Sequence, residues 1–491
     1  MTPARNFLLR STARSALAIT LAAGIGGCAA GPDFVRPPAP AVSTYTASSV
    51  TATLAPGGGQ AAQQLAPGES VTVDWWKRFH SVRLDRVVAQ ALAANQTIAS
   101  AQSTLLAARE AVVAARAGFF PQADLSATAQ RQHFGTSQNT TAGALPGIAS
   151  GTYNVYSLGP TVSFAPDLFG ATRRRVEQAE ALAHNQQYQL AAAYLALAGN
   201  TVSQAITIAS LRGQLQATRG IIADDEANLR LVERKFRAGK AARTDVITAQ
   251  SQLANDLAQL PPLQLALSGA RHALSILAGR FPAQWSVPAF DLADFSLPAD
   301  LPLSLPSQLV RHRPDILAAE AQLHADSAAI GIATAQLYPN ITLSGSFSFE
   351  SLSTRTLFET SSQSANAAAS LAAPLFHGGA LRAQRRAAID TYRAALATYR
   401  QTVLQAFGQV ADVLRALGYD ARLVTAENKA LETARQALKL QRLSYAAGKS
   451  DVLQLIDSER SYQQARLGYV RALAQRYQDA AQFFVAMGGG R

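Results

Sequence analysis

The stretch RHRPDILAAEAQLHADSAAIGIATAQLYPNITLSGS, residues 311–346, changes its pattern midway, and that change decides the fold. Its first part is rich in alanine and leucine, which favour a helix. After Pro339, polar and apolar residues alternate through Phe349, which is the period of a β-strand with one polar and one apolar face. The basic unit of the chain is therefore a helix that stops at an aromatic–proline step and passes into an amphipathic strand.

The same unit occurs earlier in the chain, so the sequence is internally duplicated. Residues 95–121 align with residues 313–339 without a gap and share eight identities. Farther along, residues 236–252 align with residues 445–461, at an offset of 209 residues. Each half therefore reads as a helix, a pair of strands and a long helical hairpin.

Four strands are predicted, two in each half. The strand pairs occupy about 121–168 and about 339–376. The segments between the strands, 131–151 and 350–363, are rich in glycine, serine, threonine and asparagine, as exposed loops are. The fourth strand, around 364–375, has the weakest pattern because it consists mostly of alanine and serine.

A very long helix follows each strand pair. Residues 171–237 and 380–446 contain no proline and are rich in strong helix formers, so each predicts one helix of roughly 100 Å. Gly239 and Gly448 lie at matched positions and predict the two helix ends. A helix returns after each glycine, and the proline pair at 261–262 predicts a break in the first of them.

The N-terminus predicts export and lipidation. In residues 1–27, three arginines precede a run of small, apolar residues, as in a bacterial signal peptide. The following IGGC, residues 25–28, resembles the lipobox of bacterial lipoproteins. Cys28 is the only cysteine, so we predict that it carries the lipid, with an ordinary signal peptide cleaved nearby as the alternative. Ala29, in place of an aspartate, predicts the outer membrane by resemblance to such lipoproteins.

Composition narrows the possible functions. Charged residues are 15% of the chain, below the share of about a quarter that is usual in soluble proteins. After residue 27, no stretch provides the ~20 continuous apolar residues of a membrane helix. The net charge of +12 falls to +9 without the three arginines of residues 1–27, and the other arginines are dispersed among acidic residues. We therefore expect no nucleic-acid partner.

The strand pattern predicts a shared β-barrel. Alternating strands of about 9–11 residues are typical of transmembrane barrels, and in lipid a sheet must close on itself. The smallest membrane barrels have about eight strands, so four strands require further copies of the chain. A soluble, half-buried antiparallel sheet shows the same alternation and is the alternative.

Several motifs resemble a known family, the TolC-like outer-membrane factors. Residues 311–346 resemble its signature closely, and the resemblance spans nearly the whole chain. The other matching segments are GPDFVRP at 31–37, DWWKRF at 74–79, DLFGATRRR at 167–175 and APLFHGGALRA at 373–383. LPPLQLALSGARHALSILAG at 260–279 is typical of the lipoprotein branch of this family.

The resemblance implies a mostly α-helical fold with a membrane β-barrel portion. Three chains would form a homotrimer with a 12-stranded β-barrel continued by a periplasmic α-barrel. The resulting division is a signal peptide (1–27), a lipid-anchored N-terminal segment of an equatorial region (28–80), a first repeat (81–290), a linker (291–305) and a second repeat (306–491).

The function implied by the resemblance is passive export. The chain would be the outer-membrane channel of a tripartite efflux system, held by its lipid and extending far into the periplasm. Its partners would be an inner-membrane transporter and a periplasmic adaptor, and its cargo drugs or other small toxic molecules. A channel for type I protein secretion and a periplasmic adaptor lipoprotein are the alternatives.

The resemblance places a pore gate near the start of the last helix. Leu453 and Asp457 are four residues apart and share one helix face. In a trimer they would form a hydrophobic ring and a carboxylate ring, which gate by dewetting and by charge selection. Gln454 stands where the more acidic members of the family carry a further carboxylate, so we expect a less negative ring.

Family positions that link or cap the hairpins also match. Asp245, Thr244 and Tyr445 match positions of an inter-hairpin latch, and Arg460 would brace the closed state through a carboxylate. Gly239 and Gly448 mark the hairpin tips that would contact the adaptor. Each residue also has a simpler explanation, because aspartate and threonine favour helix starts and glycine favours helix ends.

No motif predicts an enzyme. None of the seven histidines lies in an HExxH motif or pairs with the cysteine at metal spacing. Phosphate-binding loops and a nucleophile elbow are also missing from any fitting context in the sequence. We therefore expect no catalytic residues, no metal and no cofactor.

Overall fold

A computed structural model describes residues 29–47, 53–54, 62–69, 71–134 and 151–489. The predicted signal peptide and Cys28 lie outside these residues. The chain forms two units. The strand unit comprises the residues up to Arg36 with 106–184 and 321–397, and the hairpin unit comprises 37–105, 185–320 and 398–491.

Nine α-helices form in the described residues. They are α1 (Val82–Ala94), α2 (Gln96–Arg116), α3 (Ala171–Arg237), α4 (Arg243–Leu257), α5 (Leu260–Leu277), α6 (Pro306–His312), α7 (Pro314–Ala335), α8 (Ala380–Ala446) and α9 (Val452–Ala486). The two longest, α3 and α8, have 67 residues each and begin and end where the sequence predicts. Among the described helices, none combines the length and the hydropathy required to cross a membrane.

Glycines in a left-handed conformation end the two long helices, as predicted. Gly239 has φ +74° and Gly448 has φ +75°, a region that side chains with a Cβ avoid. Beyond them, the Lys240 amide donates to the Lys235 carbonyl (2.8 Å), so that a carbonyl of the last turn is satisfied. The predicted proline break is confirmed as well, because α4 ends at Leu257 and α5 begins at Leu260.

Seven strands form in the described residues. They are β1 (Thr53–Leu54), β2 (Gln63–Pro67), β3 (Gln122–Phe134), β4 (Gly151–Phe164), β5 (Asp300–Leu303), β6 (Asn340–Ser351) and β7 (Gln363–Ala372). The main sheet has the order β3-β4-β6-β7, and all of its neighbours are antiparallel. The four strands predicted from alternation are these four, including the weakly patterned β7.

A second, small sheet shows that the prediction of four strands was incomplete. Its order is β1-β2-β5, and β2 runs parallel to β5 with Leu65 opposite Leu301. These strands have two to five residues and show no alternation, so their sequences carried no strand signal. β5 lies inside the segment predicted to be a linker, 291–305, and pairs it with the N-terminal segment.

Aromatic residues form the core of the hairpin unit. Trp75 is 1% exposed and stacks on Phe484 at 5.3 Å between ring centroids. Phe79 packs edge-on against the same phenylalanine, and the buried Tyr477 donates its hydroxyl to the Phe295 carbonyl (2.8 Å). Each buried aromatic side chain contributes about 1.5–3 kcal/mol, so this core fastens the DWWKRF segment to α9.

In the strand unit, Arg174 holds the segment that follows Cys28. Its guanidinium donates to the Ala30 carbonyl (3.2 Å), to Asp33 Oδ1 (2.7 Å) and to Glu177 Oε2 (2.6 Å). The Arg174 side chain is 5% exposed, whereas that of Asp33 is 92% exposed, so the guanidinium is buried and the Asp33 carboxylate remains open to water. The Ala30 amide also donates to the Phe169 carbonyl (2.9 Å), which fixes the backbone two residues after Cys28.

Close backbone contact at Gly331 completes this attachment. A Cβ at Gly331 would lie 2.7 Å from Arg174 Cγ and 2.9 Å from the Ala30 carbonyl oxygen. Both distances are shorter than van der Waals contact, so a side chain at this position must displace the arginine or the N-terminal segment.

We predict that Gly331→Ala lowers the apparent melting temperature of the purified protein and exposes residues 29–36 to protease. Gly269→Ala is the matched control, because Gly269 also lies in a helix and an added carbon meets nothing within 4 Å. There the higher helix propensity of alanine stabilises by about 0.5–1 kcal/mol. Equal melting temperatures for the two variants would contradict the close contact at Gly331.

Candidate functional site

The two hairpin turns expose the glycines that the sequence predicts at the tips. Gly239 and Gly448 are both exposed, and a Cβ at either would meet nothing within 4 Å. The glycines are therefore required by their positive φ rather than by a close neighbour within the chain. Both tips are free to contact another molecule.

The predicted gate residues occupy the first turns of α9. Asp451 caps this helix, since its Oδ1 accepts from the Gln454 amide (2.8 Å). Leu453 is 61% exposed, and Asp457, one turn later, is also exposed. The Gln454 side chain accepts a long bond from Gln441 Nε2 (3.4 Å). Leu453 and Asp457 therefore present one uncovered face, with an apolar group next to the turn and a carboxylate behind it.

Two of the four predicted latch residues make hydrogen bonds within their own hairpin. Asp245 Oδ2 accepts from the Ala242 amide (2.9 Å), which caps the start of α4. The Thr244 carbonyl accepts from Thr248 Oγ1 (2.8 Å). The side chain of Thr244 itself is exposed.

The other two latch residues connect the hairpins. Arg460 Nε donates to Gln252 Oε1 (2.8 Å), which joins α9 to α4. The Tyr445 carbonyl accepts from Lys235 Nζ (2.6 Å), and the same ammonium lies 3.5 Å from the centre of the Tyr445 ring. Lys235 was not among the residues that the sequence predicted to link the hairpins. Burial, and then the charge of Asp245, raise the pKa of Tyr445, so its hydroxyl stays protonated.

A second connection, also missed, centres on Arg442. Its guanidinium lies 2.9 Å from Asp224 Oδ2 on α3 and 3.3 Å from Glu459 Oε1 on α9. Asn228 on α3 donates to the same Glu459 oxygen. The position of Glu459 could have indicated this connection. Glu459 lies four residues after the buried Leu455 and therefore on the buried face of α9.

Next to Glu459, two aspartates are buried together. Asp225 on α3 is 3% exposed and Asp256 on α4 is 2% exposed, and their carboxyl groups share a hydrogen bond. Asp256 also accepts from Gln252 Nε2 (2.7 Å) and from Gln463 Nε2 (3.0 Å). Two carboxyl groups can form a hydrogen bond only if one of them keeps its proton.

Burial and the neighbouring carboxylates favour the protonated form of Asp225. Desolvation, then the bond to Asp256 and the negative charges of Asp256, Glu459 and Asp224, raise the pKa of Asp225 to about 8. Desolvation also raises the pKa of Glu459, against the opposing effect of Arg442. At neutral pH, Asp225 therefore holds the proton and donates to Asp256.

We predict that this site makes the hairpin unit less stable as the pH rises. The pKa of Asp225 is raised above its unfolded value of 3.8, so the folded chain binds more protons between pH 3.8 and about pH 8. Stability then falls with rising pH through that window and levels off above it. The measurement is the apparent melting temperature between about pH 4 and about pH 9.

Asp225→Asn keeps a hydrogen-bond donor to Asp256 and removes the titrating group, so its melting temperature should fall less over this range. Asp412→Asn, at an exposed position of α8, is the control and should keep the slope of the wild type. A slope unchanged by Asp225→Asn would show that another group titrates.

Among the described residues, no group of three or more histidine, cysteine, aspartate or glutamate side chains has the arrangement of a metal site. The site therefore consists of connections between hairpins and of exposed gate and tip residues.

Comparison with known proteins identifies the relatives of this chain. The family model described as outer membrane efflux protein matches residues 87–280 and 305–489. Nodulation protein T of Rhizobium leguminosarum bv. viciae is 28% identical over 95% of this chain and 91% of that protein. Outer membrane protein OprJ of Pseudomonas aeruginosa is 28% identical over 98% and 97%. The solved outer-membrane channel OprN is 28% identical, with a TM-score of 0.82 over 94% of this chain and 99% of that one.

Proposed function

The chain belongs to the outer membrane efflux protein family and is an outer-membrane efflux channel, and on that premise we propose that it passively conducts drugs or other small toxic molecules out of the cell. It would receive them from an inner-membrane transporter and a periplasmic adaptor. The observation that supports this proposal best is the duplicated architecture of one four-stranded sheet and two long hairpins, which covers nearly the whole length of the OprN channel.

The open edges of the main sheet support assembly with other copies. Within the described residues, β3 and β7 each pair with one strand only. Channels of this family are trimeric and work with efflux pump components. Three copies of this sheet would supply the 12 strands of one closed barrel, in which every backbone group can be bonded.

The gate would be formed by the exposed face of α9. Three copies of Leu453 would narrow the pore with an apolar ring, and three copies of Asp457 would add a ring of negative charge. Gln454 beside them would leave the ring less negative. The connections of Tyr445 to Lys235 and of Arg442 to Asp224 would hold the two hairpins of each chain together while the pore is closed.

Lipidation at Cys28 would hold the channel in the outer membrane. The signal pattern and the single cysteine support this assignment. The bonds of Arg174 to Ala30 and Asp33 add structural support, because they fasten the backbone directly after the lipidated residue. The acyl chains would therefore enter the membrane at a fixed place on the strand unit.

The alternative functions receive less support. The relatives include efflux-pump components, so a channel for type I protein secretion is not favoured. The solved OprN channel matches 94% of this chain, so the alternative of a periplasmic adaptor is not favoured. The family and the structural neighbours are channels rather than enzymes.

The deciding experiment is single-channel conductance of the full-length, purified protein in a planar bilayer. We predict a low conductance for the wild type, which rises in Leu453→Ala and in Asp457→Ala because each removes one ring from the narrowest part of the pore. Matched controls on α8 are Leu404→Ala, at a leucine that is 68% exposed, and Asp412→Ala, at an exposed aspartate.

Each result would lead to a different conclusion. A conductance that rises equally in the two gate variants and in the control variants would contradict the assignment of Leu453 and Asp457 to the gate. A high conductance that is the same in the wild type, in Leu453→Ala and in Asp457→Ala would support the channel and contradict the assignment of these two residues to the gate. The absence of conductance in every variant would contradict the proposed function.

A second prediction concerns the connection at Arg442. Arg442→Gln removes the cation next to Glu459, whose side chain is 4% exposed, and leaves the buried carboxylate with Asn228 as a neutral donor, which costs about 1–3 kcal/mol. We expect a lower melting temperature and more frequent openings in the bilayer. Arg435→Gln makes the same change of charge at an exposed position of α8 and should alter neither property.

A further inference from the structure

Equivalent helices of the two halves have matching bounds. Both ends of α3 and α8 are related by the offset of 209 residues. The same offset relates the last residues of α5 and α9, Leu277 and Ala486. The glycines that follow, Gly279 and Gly488, both have a positive φ. A contact made by one half can therefore be compared, residue by residue, with its counterpart in the other half.

The duplication repeats contacts as well as helices. Asn95 Nδ2 donates to the Leu277 carbonyl (2.9 Å), and Arg313 Nη1 donates to the Ala486 carbonyl (3.0 Å). Asn95 and Arg313 are aligned positions of the duplication, at the offset of 218 residues. The residue before α2 thus binds the end of α5 in the same way as the residue before α7 binds the end of α9. Equivalent helices therefore use equivalent neighbours.

The packing of α9 on α3 depends on a glycine. A Cβ built on Gly199 would lie 2.6 Å from Val485 Cγ2 and 3.9 Å from Val485 Cβ. Gly199 is buried, so the absence of a side chain is what makes room for Val485. At the offset of 209 residues, the counterparts of these two residues are Gly408 on α8 and Ile276 on α5.

These counterparts do not meet within the chain. Ile276 is 65% exposed, although its side chain is large and apolar. A Cβ built on Gly408 would meet no other part of the described chain within 4 Å. Gly408 lies well inside α8, where glycine is less favourable than alanine, and it is not among the glycines with a positive φ. Neither the backbone conformation nor a neighbour within the chain therefore requires glycine at this position.

We propose that Gly408 is a socket for Ile276 of a neighbouring copy of this chain. The proposal rests on the proposed function, because channels of this family are trimeric. In a ring of copies, the second repeat of one chain adjoins the first repeat of the next. The contact of α9 with α3 inside a chain then recurs as a contact of α5 with α8 between chains, and the socket is complete only when the neighbouring copy supplies the isoleucine.

The main sheet is open at the same junction between repeats. Its two edges are β3, from the first repeat, and β7, from the second. A second copy is therefore the partner that completes both the sheet and the socket, and a different protein would have to reproduce the α5 face by chance. The subunits are thus joined by repeating the packing that already joins the two halves of each chain.

The test is a disulfide across the socket in the full-length protein. Inside the chain the equivalent Cβ atoms are 3.9 Å apart, within the range of about 3.5–4.5 Å that a disulfide spans. Ile276→Cys combined with Gly408→Cys should therefore link neighbouring copies. The positive control combines Gly199→Cys with Val485→Cys and should link within one chain. The register control combines His272→Cys with Gly408→Cys, because His272 is exposed one turn before Ile276.

We expect the oxidised Ile276→Cys and Gly408→Cys double variant to run as a covalent trimer on a denaturing gel and as a monomer after reduction. The two single variants and the register control should remain monomers, which also controls for Cys28. When the two single variants are co-expressed, they should give a covalent dimer, since each disulfide then joins two different copies.

An exchange of sizes tests the same contact without a disulfide. Gly408→Leu fills the socket and should lower the melting temperature of the trimer. Leucine is a better helix former than glycine, so α8 itself is not weakened by this change. Adding Ile276→Ala makes room for the new leucine and should restore part of the loss, whereas an effect through folding of the single chain would not be reversed by a change on α5.

Four results would overturn the proposal. They are monomers in the oxidised double variant while the positive control forms its link, equal linking in the register control, a disulfide within one chain instead of between copies, and an unchanged melting temperature in Gly408→Leu. Conductance and size of the reduced samples separate the two proposals. A conducting trimer that forms no link refutes the socket alone, whereas the absence of a trimer and of a pore in the wild type refutes both.

Discussion

The hydrogen bonds between β4 and β6 join the two halves of the duplicated chain into one sheet. In this pairing Leu158 lies opposite Phe349 and Val162 opposite Gly345, so the strands of separate repeats form a continuous surface. The sheet still ends at β3 and β7, each with one neighbour among the described residues. An outer-membrane channel cannot leave such edges in lipid, because each unpaired backbone group there costs several kcal/mol. The need for further copies of the chain follows from this constraint, and channels of this family meet it as trimers.

The hairpin unit is connected mainly by charged and polar groups near its tips. Arg442, Glu459 and Asp225 are partly or fully removed from water, where an unpaired charge is expensive and a paired one interacts strongly. The contacts of Arg442 with Asp224 and of Asn228 with Glu459 join helices of different hairpins, so they couple the position of α3 to those of α8 and α9. In the proposed gate, removal of one partner would destabilise the closed arrangement without disturbing the aromatic core around Trp75.

Local signals made much of the fold predictable. The bounds of α3 and α8, the glycines after them and the break before α5 follow from propensity, positive φ and proline, all of which act within a few residues. Alternation located the four strands of the main sheet. It could not locate β1, β2 and β5, because strands of two to five residues form only when a distant partner supplies their hydrogen bonds.

The candidate site, like the fold, was only partly predictable from the sequence. The sequence by itself determined the duplication, the hairpin tips, and the positions of Leu453 and Asp457 on one helix face, because repetition and helical spacing are properties of the chain order. Only the tertiary structure decided that Lys235 meets Tyr445, that Arg442 joins Asp224 to Glu459, and that Asp225 and Asp256 are buried together. Most of these partners lie on different helices and far apart in sequence, and burial, which raises the pKa of Asp225, exists only after the helices have packed.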